Sequence, residues 1–277
     1  EVLAHTDPPN LDSIEIHNPN STTIDLSHWF LTDDWSEPAK YAIPKGTLIP
    51  PGGHLVFSEE QFNTDNRGFA LDSHGDQVYL FSAQADGTLT GFSDGFSFGA
   101  SENGVTFGRY ETTHGQPQYP SQSKPTLGLP NAGPKVGPIV INEIHYHPED
   151  NNSPEFVELK NITQHHVALY DPQNPRNTWR VGGIDFQFPV AASIPPSGLL
   201  IVANISPSEF ETYFAVPDGV PVFGPFPGTL QDGGERIELL KPDEPDTGPD
   251  GSEILPYIVV DAVRYDDTAP WPTEPDG

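Results

Sequence analysis

The chain contains neither cysteine nor methionine, although it is 277 residues long. The absence of cysteine excludes disulfide bonds, thiol catalysis and thiolate metal sites. The absence of methionine means that the sequence contains no start residue. We therefore expect a processed or excised piece of a longer polypeptide.

Basic residues are scarce. The chain has 12 lysines and arginines but 40 aspartates and glutamates, which gives a formal net charge of −28. A surface of this sign repels nucleic-acid phosphates and anionic membrane faces. The sequence also has no run close to the ~18 apolar residues that a membrane helix requires. We therefore expect no nucleic-acid partner and no membrane insertion.

Helical periodicity is almost absent, and strand signals dominate instead. The 32 prolines and 26 glycines predict frequent turns, and short β-branched and aromatic runs between them predict strands. Two helical turns are expected at residues 59–62 and 206–213, with Pro207 at a first helical position. The predicted strands cover residues 12–18, 22–32, 39–43, 53–58, 76–82, 89–98 and 104–111, then 138–147, 154–161, 165–170, 178–187, 198–203, 235–241 and 257–266.

The sequence contains an internal repeat of two copies. The matched segments are 14–18 with 157–161, 49–57 with 194–202, 75–80 with 234–239, and 94–98 with 261–265, at offsets of 143, 145, 159 and 167 residues. The order is kept while the offset grows, as happens when insertions collect in surface loops of two copies of one fold. A period this long indicates two domains rather than a solenoid.

The segment between the copies, residues 121–138, contains four prolines and three glycines, which predicts a semi-rigid linker. The predicted domains are therefore residues 1–120 and 139–277. About seven short strands in each favour an immunoglobulin-like β-sandwich. The fold class predicted is all-β, with two tandem sandwiches.

Residues 139–148 (IVINEIHYHP) and 154–161 (PEFVELKN) resemble the start of a bacterial-type lamin tail domain. The Ile-Pro-Pro-x-Gly and Gly-(Asp/Glu)-x-(Val/Ile)-x-Leu segments extend this likeness over nearly the whole chain, twice. The resemblance implies an immunoglobulin-like sandwich without catalytic machinery, appended to large secreted or surface proteins. By this alignment the first copy lacks its start and the second is truncated at its C-terminal end, so we expect a segment of something longer.

Acidic residues recur at three matched positions of the two copies. The candidates are Glu1, Asp12 and Glu15 in the first copy and Glu143, Glu155 and Glu158 in the second. Carboxylates that converge with backbone oxygens form a binding site for a hard cation, and Ca²⁺ is the ion that such oxygen ligands favour. The alternative is that these acids face solvent or cap backbone amides.

Two motifs suggest catalysis only superficially. Residues 91–95 and 95–99 both satisfy G-x-S-x-G, but a nucleophile elbow requires a helix after the turn, and no helix pattern follows. His145 and His147 share a strand face, yet a catalytic zinc needs a third ligand. We therefore expect no enzyme activity and no required cofactor.

The four tryptophans divide into two groups. Trp29 and Trp179 lie in strand-like runs and are predicted to pack in cores, whereas Trp35 and Trp271 lie among acidic residues and prolines of loops. Trp35 and Trp271 are the candidates for an exposed contact surface.

These observations favour a non-catalytic structural or adhesive module of a larger secreted or cell-surface bacterial protein. Its expected partners are other domains of the parent polypeptide, cell-surface proteins or glycans. The alternative is a Ca²⁺-dependent carbohydrate-binding module attached to a secreted enzyme. Either reading places the chain outside the cell or on its surface.

Overall fold

A computed structural model describes residues 1–64, 68–113, 115–148, 153–248 and 250–269. The chain divides into unit 1, Glu1–Lys135, and unit 2, Val136–Gly277. Both are built almost entirely from antiparallel strands that form two main sheets. The predicted all-β, immunoglobulin-like sandwich class is confirmed. No helix among the described residues is long and apolar enough to cross a bilayer.

Unit 1 has two main sheets, ordered β1-β2-β7 and β5-β4-β8-β9, with the small ladders β3–β6 and β10–β11 beside them. Its elements are β1 (Val2–Leu3), β2 (Ser13–His17), β3 (Ile24–Asp25), β4 (Phe30–Thr32), β5 (Tyr41–Ala42), β6 (Leu48–Ile49), β7 (His54–Ser58), α1 (Glu59–Phe62), β8 (Gly75–Ala83), β9 (Leu89–Gly99), β10 (Tyr110–Glu111) and β11 (Pro117–Gln118).

Unit 2 has main sheets ordered β12-β13-β18-β19 and β16-β15-β20-β23, with the ladders β14–β17 and β21–β22. Its elements are β12 (Ile139–His145), β13 (Phe156–Asn161), β14 (Val167–Ala168), β15 (Arg180–Gly182), β16 (Phe186–Gln187), β17 (Ser193–Ile194), β18 (Leu199–Ala203), α2 (Pro207–Tyr213), β19 (Val222–Phe223), β20 (Arg236–Pro242), β21 (Asp246–Thr247), β22 (Glu253–Ile254) and β23 (Tyr257–Arg264).

The two units share one strand topology. The sheet β1-β2-β7 corresponds to β12-β13-β18, β5-β4-β8-β9 corresponds to β16-β15-β20-β23, and β3–β6 corresponds to β14–β17. The registers agree as well, since Ile14 faces Phe57 and Val157 faces Val202. The repeat in the sequence is therefore also a repeat in the strand order and pairing.

Strand β19 is an addition to unit 2. It pairs parallel with β18, where Ile201 faces Val222, and it lies in the stretch over which the offset between the copies rises from 145 to 159 residues. The insertion that separates the copies in sequence thus adds an edge strand.

Alternation along the strands places one set of side chains between the sheets of each unit. In β8, Val78 faces the core while Tyr79 and Phe81 face the opposite side. Trp179 is buried and Trp29 is half-buried against the core of unit 1, as predicted. The best-covered core residues include Ile14, Leu26, Leu31, Ile43, Ile49 and Phe62 in unit 1, and Ile139, Val157, Leu159, Leu169, Leu200, Ile237 and Leu239 in unit 2.

A buried asparagine closes the same corner in both sandwiches. The side-chain amide of Asn18 donates to the carbonyls of Thr22, Ile49 and Pro50 at 2.8–3.1 Å. Asn161 in unit 2 repeats the arrangement with three carbonyls at 2.7–3.0 Å. These bonds satisfy carbonyls that leave the strand ladders, so the asparagine is part of the fold.

The short helices begin where the sequence predicts them. Each starts with a capping box, from Ser58 in α1 and from Ser206 in α2, and Pro207 opens α2. The predicted strand over residues 22–32 is instead two strands, β3 and β4. The chain turns between them at His28, whose φ of 70° ends the extended run.

Residues 121–135, which their composition predicts to be a linker, lie within unit 1. The amide of Gln122 donates to Thr106 at 2.8 Å, and that of Lys135 donates to Ser121 at 2.8 Å. Proline and glycine content indicates that a segment is irregular, but it does not reveal what the segment packs against. Here the irregular segment folds back onto the sandwich.

Candidate contact surface

The matched acids of unit 1 hold backbone amides. Glu1 accepts hydrogen bonds from the amide and hydroxyl of Thr126, at 2.7 and 2.6 Å. Glu15 accepts the amide of Gly128 and lies 2.8 Å from the Nδ1 of His54. Both carboxylates are buried. They therefore fasten residues 126–128 to the sandwich, which is the amide-capping alternative considered for these positions.

Asp12 is buried too, but it has a different partner, the hydroxyl of Thr6 at 2.8 Å. Burial raises the pKa of Asp12, and the Thr6 hydrogen bond opposes that effect.

The acids of unit 2 have different surroundings. Glu143 is exposed and faces Glu158 across the β12–β13 ladder, and Glu158 accepts a bond from Asn142 at 2.7 Å. Glu155 accepts the amide of Leu230 at 3.3 Å, and burial raises the pKa of Glu155. Within the described ranges, no three histidine, aspartate or glutamate side chains form a group that could hold a metal ion. The calcium site stays a prediction.

The motifs that resemble catalytic ones lie on strands. Both G-x-S-x-G matches lie inside the single strand β9, so Ser93 and Ser97 are not at a strand-to-helix turn. His145 stacks on Phe156, with ring centroids 5.1 Å apart. These residues are accounted for by strand pairing and packing.

Trp35 lies on a turn that the side chains of Thr32 and Asp34 hold in place by hydrogen bonds to its backbone. Thr32, fully buried at the end of β4, donates its hydroxyl to the carbonyl of Glu37 at 2.9 Å and accepts the amide of Asp34 at 3.0 Å. Asp34 in turn accepts the amide of Ser36 at 2.7 Å. The turn therefore presents the indole in a defined position.

The indole covers aromatic side chains on the outer face of the sheet. Its centroid lies 5.0 Å from the Tyr79 ring, edge to face, and 4.9 Å from the Phe81 ring, distances typical of favourable aromatic pairs. Phe30 and Phe81 are buried below, while Trp35 remains 54% exposed. We call these four residues, Phe30, Trp35, Tyr79 and Phe81, the aromatic face.

Gly95 makes room for this arrangement. It faces Tyr79 across the β8–β9 ladder, and a Cβ at this position would overlap the Tyr79 ring and the carbonyl oxygen of Val78. The tyrosine thus lies across a position that only glycine leaves open.

Carboxylates lie on the same turn as Trp35. Asp33 accepts a bond from Lys40 at 2.6 Å, and this bond raises the pKa of Lys40. Hydrogen bonds from Ser36 lower the pKa of Asp34. Glu37 is exposed on the same turn. The exposed indole therefore lies in a negative field, which favours a cationic ligand.

The matched face of unit 2 has a different chemistry. The registers place Arg180, Glu238 and Leu240 where unit 1 has Phe30, Tyr79 and Phe81. We call its three exposed arginines, Arg180, Arg236 and Arg264, the arginine face.

A shorter hairpin is the second difference between the faces. The turn after β15 spans only residues 183–185, whereas the turn after β4 spans 33–40, so unit 2 has no loop to carry a counterpart of Trp35. Trp271, the other predicted contact residue, lies outside the described residues.

A model of the Lamin Tail Domain family matches residues 1–94. No curated protein matches the chain. The lamin tail match runs from β1 into β9 and includes every residue of the aromatic face. The arginine face lies outside it.

Trp35 is among the contact residues that the sequence predicts, whereas its aromatic neighbours and the whole arginine face are not. One signal was present: β8 has aromatic residues at alternating positions 79 and 81, beside core residues 78 and 80. Two apolar faces on one strand indicate an outer surface that is also covered.

Proposed function

We propose that this chain is a non-catalytic binding module of a larger secreted or cell-surface bacterial protein, and that the aromatic face is its contact surface for other proteins. The resemblance of the second copy supports a second lamin-tail-like domain in unit 2. One observation carries the proposal: the 54% exposed Trp35 is held on an ordered turn against Tyr79 and Phe81.

Exposed tryptophan and tyrosine are enriched where proteins bind each other, because they bury large apolar area at little cost in side-chain entropy. Pre-organisation lowers the cost of binding further. The surrounding carboxylates favour arginine and lysine side chains from the partner.

Calorimetric titration with a capped glycine–arginine repeat peptide tests this proposal. The unchanged protein should bind the peptide, and Trp35→Ala should weaken binding about tenfold, equivalent to ~1.4 kcal/mol. Tyr110→Ala is the matched control, since Tyr110 is a 43% exposed aromatic outside the aromatic face. Equal binding by the Trp35 variant and the unchanged protein would contradict the proposal.

A carbohydrate-binding module is the second candidate, because an exposed indole also stacks on the apolar face of a pyranose ring. Chitohexaose in the same calorimeter tests it, with loss in Trp35→Ala as the supporting result. Its calcium dependence requires the Glu1 and Glu15 oxygens to leave their present hydrogen-bond donors. A melting temperature that is equal in CaCl₂ and EDTA would remove calcium from this candidate.

A further inference from the structure

The aromatic face and the arginine face lie on corresponding sheets of the two units, and they are chemically complementary. Only 12 of the 277 residues are lysine or arginine, yet three exposed arginines lie on one sheet of unit 2. An arginine-rich surface in so acidic a chain fits an acidic or aromatic partner.

The placement of two of these arginines has an energetic cost. Arg236 and Arg264 face each other directly across β20 and β23, and like charges in this position destabilise a sheet. Glu238 is bonded to Arg236 at 2.7 Å. A partner that brings further carboxylates and aromatic rings would relieve the repulsion between the two guanidinium groups.

Guanidinium groups stack on aromatic rings more readily than ammonium groups do, because they are planar and weakly hydrated. The chain already contains one such contact, with the guanidinium carbon of Arg180 3.8 Å from the centre of the Tyr257 ring. On the aromatic face Trp35 offers an exposed ring, and Glu37, on the same turn as Trp35, offers an exposed carboxylate.

We infer that the aromatic face of one molecule binds the arginine face of a second copy of this chain. This inference rests on the proposed role of the aromatic face as a contact surface. The two surfaces differ, so the contact is heterologous and leaves one free face at each end of every complex. Molecules therefore add head to tail.

Sedimentation velocity across a wide range of concentration tests the inference. The unchanged chain should form oligomers that grow with concentration and dissociate as salt rises. Trp35→Ala and the double variant Arg236→Ala/Arg264→Ala should each stay monomeric. A mixture of these two variants should form a dimer and stop there, because each variant retains one working face.

Matched controls separate the faces from general surface effects. Tyr110→Ala changes an exposed aromatic residue outside the aromatic face, and Arg176→Ala changes an exposed arginine outside the arginine face; both should associate like the unchanged chain. Arg236→Lys/Arg264→Lys keeps the charge but loses planar stacking, and should associate more weakly. Far-ultraviolet circular dichroism should show the same β-sheet signal for every variant.

An unchanged chain that is monomeric at every concentration would overturn the inference, as would a variant mixture that forms no dimer. The proposed function is tested separately by the arginine peptide. If Trp35→Ala lowers peptide binding while the unchanged chain stays monomeric, the contact surface stands and the second copy is not its occupant.

Discussion

The two units differ where their scaffolds meet solvent and agree where they are packed. Tyr79 and Glu238 occupy the same register position on the outer face, yet one is aromatic and the other charged. Val78 and Ile237, one residue earlier, are both apolar and buried. Packing therefore fixes the residue type on one side of each strand, while the other side is free to carry a contact specific to its unit.

The matched acids show that residue identity can persist while its environment changes. Glu15 is buried and bonded to Gly128, whereas its counterpart Glu158 is half-buried and bonded to Asn142. The segment that covers Glu15, residues 126–128, follows the first copy and packs onto it. A shared carboxylate therefore does not establish a shared site.

The buried asparagine is the structural element that the two units share most closely. Asn18→Ala and Asn161→Ala each remove a donor to three carbonyls, so each should lower the stability of its own unit by about 3 kcal/mol. Hydrogen exchange read separately on peptides of unit 1 and unit 2 measures this. Asn131→Ala, which loses a single bond to the carbonyl of Arg109, is the control and should cost about 1 kcal/mol. Losses below that control in both variants would show that the asparagine corner is not a shared structural element.

Gly95 and Ala262 occupy matched positions opposite Tyr79 and Glu238. Gly95→Ala should destabilise unit 1 by about 2 kcal/mol, because the added methyl overlaps Val78 and Tyr79. Ala262→Gly should cost unit 2 only about 0.5–1 kcal/mol, through chain entropy. Urea unfolding followed by hydrogen exchange checks both, and equal costs would contradict the role given to Gly95.

Arg180 tests the chemistry of the arginine face within one molecule. Arg180→Gln removes the guanidinium from the Tyr257 ring and should cost unit 2 about 0.5–1 kcal/mol, since the site is exposed. Arg176→Gln, at an exposed arginine of the same unit, should change stability by less. Thermal unfolding compares the two, and identical melting temperatures would remove the stacking contribution.

The smallest effect distinguishes the units by pH. His17 stacks on His54 at 4.5 Å, and partial desolvation, followed by the repulsion from His54, lowers the pKa of His17 from 6.5. Because the unfolded chain then binds the proton more readily, the stability contribution is full above pH 6.5 and is lost as pH falls below it. The free energy of unfolding of unit 1 should fall slightly on acidification, and His17→Asn should reduce this fall. Unit 2 has Lys160 at this position, so an equal response there would contradict the assignment.

Local signals in the sequence predicted most of the strands, both short helices and the repeat. Runs such as 76–82 and 89–98 are long and bounded by turn residues, so β8 and β9 appear close to their predicted limits. The run at 22–32 predicts one strand where the structure has two, because a positive φ at a non-glycine residue, His28, has no compositional marker. Trp35 was predicted from its loop context, whereas its neighbours Tyr79 and Phe81 come from a distant strand.

Three properties follow from the amino-acid sequence alone, because they depend on local periodicity and composition: the all-β class, the duplicated pattern and the strong negative charge. Three others are set by the folded chain: residues 121–135 pack onto unit 1, Glu1 and Glu15 cap amides, and Trp35 rests on Tyr79 and Phe81. Those outcomes depend on contacts between residues far apart in the chain. Strand register and loop length set such contacts, and neither is visible in a local pattern.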